Sequence, residues 1–417
     1  MFRWLDDNVR FTAAAVEYNP VQGLDGPLMQ GSPFVNGHAR LFSEKLHVGR
    51  PNLGNRERLL ARFNGVLDRV WLTNDGPCVQ EFEARIADYL GVAHCIAVSN
   101  ATIGLQIAIN ALGLAGEVIV PSFTFPATVH ALTWQGIRPV FCDVDPNTHN
   151  IDPAAIERLI TPQTTGILAV HLWGNPCDAE VLAEIADRRG LMILYDAAHA
   201  FGCSRAGRMV GNFGDAEVFS FHATKFLGTG EGGAITTNDD ELAKRIRRQR
   251  NFGLEGDQVV DLGINGKLNE FAAALGLTVL ESIDEFLARN HENIAVYARS
   301  LAEARGLKLC TAATQDRRNQ QYVVVEVDER DAGMSRDEIL AALHAENVLA
   351  KRYFFPGCHR LPLYRSLHDV DRNPLPHTER LCDRLLQLPT GTGVSSADIA
   401  RIGEFLCGLT SRARNAA

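Results

Sequence analysis

Leu191-Met192-Ile193-Leu194-Tyr195-Asp196-Ala197-Ala198-His199 opens with an unbroken apolar run that stops at a carboxylate. A strand with one wet face alternates apolar and polar residues. A run without alternation is buried on both faces, as in a parallel sheet covered by helices. Six more short runs share this character: His94–Val98, Glu117–Val120, Pro139–Cys142, Gly166–His171, Ala216–Ser220 and Ala234–Thr237. They are rich in Val and Ile and bounded by Gly, Pro, Asp or Asn. Helical stretches separate them. Val79–Leu90, for instance, follows Gly76-Pro77 and sets Phe82, Ile86, Tyr89 and Leu90 on one face. Strands separated by helices require crossover connections, so the expected fold is a three-layer α/β domain around a mixed, mostly parallel seven-stranded sheet. Ligands of such sheets bind beyond the carboxyl ends of the strands. Residues just after these runs are therefore the functional candidates.

Outward from this core, Glu270 to about Arg305 reads as long helices rich in Ala and Leu. From Leu307 the pattern suggests a smaller α/β unit. Its strands are expected near Tyr322–Val327 and Val348–Tyr353, its helices near Arg336–His344, Thr378–Leu386 and Ser396–Leu409. The expected organisation is an extended arm (1–47), punctuated by Gly23, Gly26, Gly31, Pro20, Pro27 and Pro33, a large domain (48–287) and a small C-terminal domain (288–417).

A chain of 417 residues, 46% hydrophobic and 22% charged, is ordinary globular material long enough for two domains. Its net charge of −9 argues against nucleic acid and anionic membranes as partners. The one basic stretch, Lys244–Arg250, has the apolar spacing of a helix with a solvated face. Nine cysteines, an odd number without CxxC pairs or metal-ligand spacing, imply neither a disulfide framework nor a metal site, and read as reduced thiols in a cytoplasm. Met1–Arg10 lacks the apolar core of a signal peptide, and no run approaches the ~18 apolar residues of a membrane span.

Four fragments carry chemistry. A carboxylate at a buried strand end, such as Asp196, is costly unless a cation meets it; the ring nitrogen of pyridoxal phosphate (PLP) is such a cation, and capping of the next turn is the alternative. His199 follows three residues later and reads equally as a buried or capping histidine. In Val218-Phe219-Ser220-Phe221-His222-Ala223-Thr224-Lys225-Phe226-Leu227-Gly228-Thr229-Gly230 a strand runs into a small-residue segment holding one lysine. A Schiff-base lysine needs such a partly desolvated setting near the loop end of the sheet, and Ser220 offers a hydroxyl to a phosphate. Gly228-x-Gly230-x-x-Gly233 matches the dinucleotide fingerprint in form only, because a strand and not a helix follows. In Ser99-Asn100-Ala101-Thr102 a strand turns into a helix start whose free N–H groups suit a phosphate, or form an ordinary capped helix. After Glu117–Val120, Phe125 is placed either to stack on a ring or to pack in the core.

Ser220-Phe221-His222-Ala223-Thr224-Lys225, Asp196-Ala197-Ala198-His199, Ser99-Asn100-Ala101-Thr102 and Gly263-Ile264-Asn265-Gly266-Lys267 together resemble the DegT/StrS family of nucleotide-sugar aminotransferases, over about residues 48 to 410. The resemblance implies the fold type I PLP architecture. It assigns Lys225 to carry the cofactor as a Schiff base, Asp196 to the pyridine nitrogen and His199 to the neighbourhood of the 3-hydroxyl. Ser220, Ala101 and Thr102 fall to the phosphate, with Ala101 where many relatives have Gly, and Phe125 to ring stacking. Asn265 matches a residue that reaches the cofactor of the neighbouring subunit, so a homodimer with shared sites is implied. Family members with His in place of the lysine are dehydratases; Lys225 favours transamination, with glutamate as amino donor and pyridoxamine phosphate between the half reactions. Leu227-Gly228-Thr229-Gly230, where bulkier residues are commoner, and the long arm depart from the family pattern. Trp71-Leu72-Thr73-Asn74-Asp75-Gly76-Pro77 and His171-Leu172-Trp173-Gly174 most resemble enzymes that aminate C4 of dTDP-4-keto-6-deoxyglucose. C3 amination of a 3-keto sugar and a PLP-binding regulatory protein without turnover are the alternatives.

Overall fold

The computed structural model describes residues 40–311 and 316–416. The expected arm before residue 40 lies outside them. Seven strands form the main sheet: β1 (His94–Val98), β2 (Glu117–Pro121), β3 (Arg138–Cys142), β4 (Thr164–Val170), β5 (Met192–Asp196), β6 (Ala216–Ser220) and β7 (Gly233–Thr237). Their order is β1-β7-β6-β5-β4-β2-β3. Only β7 runs antiparallel to its neighbours, β1 and β6. The seven apolar runs are the seven strands, and the sheet is mixed and mostly parallel as expected.

The helices that cover it are α1 (Arg56–Arg69), α2 (Pro77–Leu90), α3 (Ala101–Ala111), α4 (Pro126–Thr133), α5 (Ala179–Arg189), α6 (Asp240–Arg250) and α7 (Glu270–Leu280). Successive strand residues point to opposite faces. Cys95, Ala97, Ile119, Ile167, Ile193, Tyr195 and Phe219 form one core with α2, α5 and α7. The alternate positions Ile96, Val98, Val118, Val120, Leu168, Leu194 and Val218 form another with α3, α4 and α6. Helix α1 joins through Phe63, whose ring meets Phe271 of α7 edge-on at 5.4 Å.

The start of α2 explains Gly76-Pro77. Pro77 needs no amide partner at the first helical position. The buried Glu270 carboxylate accepts from the next two amides, Cys78 at 3.0 Å and Val79 at 2.9 Å. A Cβ on residue 76 would lie 2.6 Å from the Glu270 carboxyl carbon, so a side chain there would displace the carboxylate that caps the helix. The basic stretch is a helix as its spacing predicts, α6, yet it is not simply solvated. Arg247 and Arg250 turn inward onto Glu83 of α2, at 2.7 and 2.5 Å.

A second, antiparallel sheet follows helix α8 (Ile283–Ser300). Its order is β8 (Leu307–Leu309), β9 (Val323–Val327), β10 (Leu385–Leu388). Tyr297 of α8, Ile339 and Leu343 of α9 (Arg336–Ala345), and Ile402 and Leu406 of the C-terminal helix α11 (Ser396–Ala416) fill its core. Two expectations change here. The strand expected over Val348–Tyr353 shortens to Val348–Leu349, paired in parallel with Leu46–His47, because Tyr353 and Phe354 leave the sheet to stack on one another at 4.0 Å. The helix expected over Thr378–Leu386 is α10 (Pro376–Arg384), and Leu385–Leu388 becomes β10. All four β10 residues are buried against Val323–Glu326, so sheet pairing overrides the helix propensity of leucine. The last residues of the expected arm are not free: the Asn347 side chain donates to the Phe42 carbonyl at 2.7 Å.

Candidate active site

The carboxyl ends of β1, β2, β4, β5 and β6 lie along one edge of the main sheet, because these strands share a direction. Asp196 ends β5, in register with Val218 of β6. Ser220 ends β6. The segment from Phe221 to Gly232 then folds into a compact loop. The Ala223 amide donates to the Gly230 carbonyl and the Thr229 amide to the Phe221 carbonyl, both at 2.7 Å. Lys225 projects from this loop. Gly233 opens β7, not a helix, as the rejected dinucleotide match requires. A Cβ there would stand 2.9 Å from the Ala101 nitrogen and 2.7 Å from the Phe219 carbonyl. Glycine lets β7 pass beneath the start of α3.

Lys225 Nζ donates to the Tyr322 hydroxyl at 3.0 Å. Burial pushes the amine below its usual pKa, and the nearby Tyr353 and Asp196 oppose that shift. Asp196 is 6% exposed. Burial pushes its carboxyl up, while hydrogen bonds from the Thr128 hydroxyl (2.7 Å) and the Ala198 amide (3.0 Å), and the charge of Lys225, pull it down. The Ala198 contact makes Asp196 a local cap as well, so the capping alternative describes one of its two oxygens. Among the described residues no cationic side chain forms an ion pair with it. His199 is buried, and its Nδ1 accepts from the Trp173 amide at 3.2 Å, which leaves the ring proton on Nε2. Burial and the charge of Lys225 push its pKa well below the usual value, so the ring is neutral.

Ala101 and Thr102 open α3. Asn100 caps the helix by accepting from the Ile103 amide at 2.9 Å. Among the described residues nothing accepts from the amides of Ala101 or Thr102, and both point out of the positive end of the helix. Ser220 Oγ accepts only a long contact, 3.4 Å, from the His222 amide. Phe125 precedes α4 and is 53% exposed, which excludes core packing. Asn265 is exposed, and its side chain makes no hydrogen bond among the described residues. Its backbone bridges Asn251, and the Gly266 carbonyl accepts from the Ser99 amide at 2.8 Å. The Asn265 turn therefore lies beside the segment that leads into α3. The structure thus brings Lys225, Asp196 and His199 together and sets Ser220 at the end of β6 and Ala101 and Thr102 at the start of α3, with β7 between β6 and β1. Among the described residues it gives the Phe125 ring no stacking partner and the Asn265 side chain no hydrogen bond.

Four participants escaped the sequence reading. Thr128 sits one helical turn after Thr124, whose hydroxyl it meets at 2.9 Å, and fixes Asp196. Trp173 orients His199 through its amide while held at φ 53°, a region costly for a bulky residue. Tyr322 and Tyr353 come from the second sheet and its neighbouring turn. The spacing Thr124-x-x-x-Thr128 after a strand was a usable signal. Nothing local marks the two tyrosines.

A profile of the DegT/DnrJ/EryC1/StrS aminotransferase family matches residues 54–407. A dTDP-4-amino-4,6-dideoxy-D-glucose transaminase of Shigella dysenteriae is 38% identical over 356 residues, covering 85% of this chain and 96% of the relative. The GDP-perosamine synthase of Caulobacter vibrioides is 37% identical over 86% of this chain and 96% of its own length. Among solved structures, DesI in the presence of its TDP-sugar product superposes with a TM-score of 0.87 at 47% identity, over 91% of this chain and 96% of that one. The chain belongs to the DegT/DnrJ/EryC1/StrS aminotransferase family.

Proposed function

We propose that the chain is a PLP-dependent aminotransferase that moves an amino group from L-glutamate to a nucleotide-linked keto-sugar, dTDP-4-keto-6-deoxy-D-glucose, at C4. One observation carries the reading. A lysine amine with depressed pKa, Lys225, lies near a buried carboxylate, Asp196, that no cation of the described chain pairs with. The sugar nucleotide is supported by relatives that are a dTDP-sugar transaminase and a GDP-perosamine synthase.

The residues present fit PLP. Lys225 would hold its aldehyde, Asp196 its ring nitrogen, the amides of Ala101 and Thr102 with the Ser220 hydroxyl its phosphate, and Phe125 its ring face; His199, with its proton on Nε2, would serve the 3-hydroxyl. PLP so held supplies an electron sink beside the amino-bearing carbon. Lys225 moves the protons. Its lowered pKa leaves more neutral amine to accept one and makes the ammonium a readier acid to give it back, while the charge of Asp196 keeps the ammonium accessible. Asp196, charged, keeps the ring nitrogen protonated. Burial around both groups excludes water and strengthens their interaction.

We read the assembly as a homodimer with shared sites. Beside Asn265 the chain exposes Val259 (72%), Leu262 (74%) and Ile264 (37%), apolar surface that a second subunit covers. Mixing inactive Lys225→Ala and Asn265→Asp proteins and allowing exchange then restores part of the activity, because one site of the heterodimer carries neither lesion. All nine cysteines are free, which suits the cytoplasm. The site falls between the proposed large domain, 48–287, and small domain, 288–417.

The test is direct. The PLP-loaded protein mixed with glutamate loses its visible cofactor absorption, and a panel of dTDP-keto-sugars then restores it. Nuclear magnetic resonance of the product locates the new amine. A 3-amino product selects the C3 alternative. No spectral change with any amino acid selects the non-catalytic one.

A further inference from the structure

Tyr322 stands immediately before β9, 97 residues from Lys225 in the chain, yet its hydroxyl is the group that Lys225 Nζ donates to, at 3.0 Å. Among the described residues Nζ meets no other acceptor. The Tyr322 ring is held from two directions: the His199 ring lies 4.5 Å away at 51°, and the Tyr353 ring 5.8 Å away at 27°. Tyr353 in turn stacks on Phe354 at 4.0 Å, and Phe354 stacks parallel to His199 at 6.0 Å. Four rings thus close a circuit that fixes the Tyr322 hydroxyl in space. Its hydroxyl also interacts electrostatically with that of Tyr353.

We infer that Tyr322, backed by Tyr353, is a positioning residue that holds the free amine of Lys225 in both of its protonation states. A hydroxyl has one proton to give and two lone pairs. It accepts from an ammonium and donates to a neutral amine without moving the ring. A carboxylate in that position would only accept, and would trap the lysine as ammonium. The groups that face the amine are consistent with this division of labour. Asp196 favours its charge, His199 is neutral, and burial pushes the phenols of Tyr322 and Tyr353 up, so both stay protonated and uncharged at neutral pH. A long lysine side chain loses much rotamer freedom when held. Fixing it through a rigid ring keeps the amine next to the site where protons are exchanged. The inference rests on the reading of Lys225 as the working lysine.

The experiment measures the basicity of Lys225 without cofactor. Apoprotein is labelled with trace acetic anhydride across a pH series, and acetylation of the Lys225 peptide is followed by mass spectrometry. In Tyr322→Phe both states lose a partner, but the ammonium loses the stronger, charge-assisted contact, so the labelling midpoint moves down by about one pH unit. Tyr353→Phe keeps the direct contact and moves it in the same direction by less. In loaded enzyme Tyr322→Phe lowers kcat of the glutamate half reaction about tenfold with KM unchanged. A folded Tyr322→Phe protein with the wild-type midpoint, or a higher one, overturns the inference. If that variant does not fold, an unshifted Tyr353→Phe midpoint overturns it. A wild type that takes up PLP without forming a visible chromophore instead sinks the parent reading, whatever the midpoints are.

Discussion

Two carboxylates are almost equally buried in this protein and are treated in opposite ways. Glu83, 7% exposed, accepts from Arg250 at 2.5 Å, Arg247 at 2.7 Å and the Ala97 amide at 2.8 Å. Asp196, 6% exposed, accepts from one hydroxyl and one amide and forms no ion pair among the described residues. Removing a charge from water costs several kcal/mol unless a partner compensates. At Glu83 the chain supplies that partner twice, and the result ties α2 to α6. At Asp196 it supplies none, and burial raises the pKa. A charge left so exposed to its own desolvation is where a cationic ligand gains most. The first site is built for stability; the second, on the proposed function, is left open for a cationic ligand.

The comparison breaks most clearly at the lysine. Lys225→Ala removes the proposed proton carrier and covalent anchor, so amino transfer is expected to fall by about 10³-fold or more and the visible cofactor band to disappear. Full turnover in that variant would return Asp196 to the status of a cap. Asp196→Asn keeps the shape and removes the charge. Its kcat falls by about 10²-fold or more, measured in the glutamate half reaction. Its stability moves the other way. The folded pKa of Asp196 lies above the unfolded one, so its contribution favours folding at pH below the unfolded value and is lost as pH rises through the folded value. At pH 7 the Asn apoprotein therefore melts no lower than wild type, and its advantage shrinks as pH falls. Glu83→Gln is the mirror case. It leaves the buried Arg250 with Asp75, at 3.3 Å and half exposed, as its remaining charged partner and costs about 3 kcal/mol in denaturant unfolding, while the spectral response to glutamate keeps its full amplitude below the melt. An Asp196→Asn protein that unfolds more easily than Glu83→Gln would erase the distinction. The smallest effect is at Phe125→Ala. The ring is exposed, so stability is unchanged, and PLP affinity falls several-fold by loss of about 1 kcal/mol of stacking.

Lys225, Asp196 and His199 were legible because their signals are local: strand ends, a glycine-bounded loop, and a motif resemblance that four short fragments carry together. Ala101 and Thr102 were legible for the same reason, since a strand-to-helix turn shows its own free amides. Val348–Tyr353 misled because β-propensity does not reveal that three aromatic residues will pack on one another. Leu385–Leu388 misled because leucine suits a helix until a neighbouring strand offers its edge. Arg247 and Arg250 looked solvated because their partner, Glu83, is 164 and 167 residues away.

The sequence by itself determined the seven strands, their mostly parallel order of direction, and the edge on which function lies. Hydrophobic period and strand-end chemistry are properties of a few neighbouring residues, and they survive in any context. Tertiary structure alone decided what those strand ends meet: Thr128 on Asp196, the Trp173 amide on His199, and Tyr322 on Lys225. Such contacts join residues from separate helices and from a second sheet. No periodicity encodes them, because they exist only once independent elements have packed and the low dielectric between them has made each unpaired charge costly.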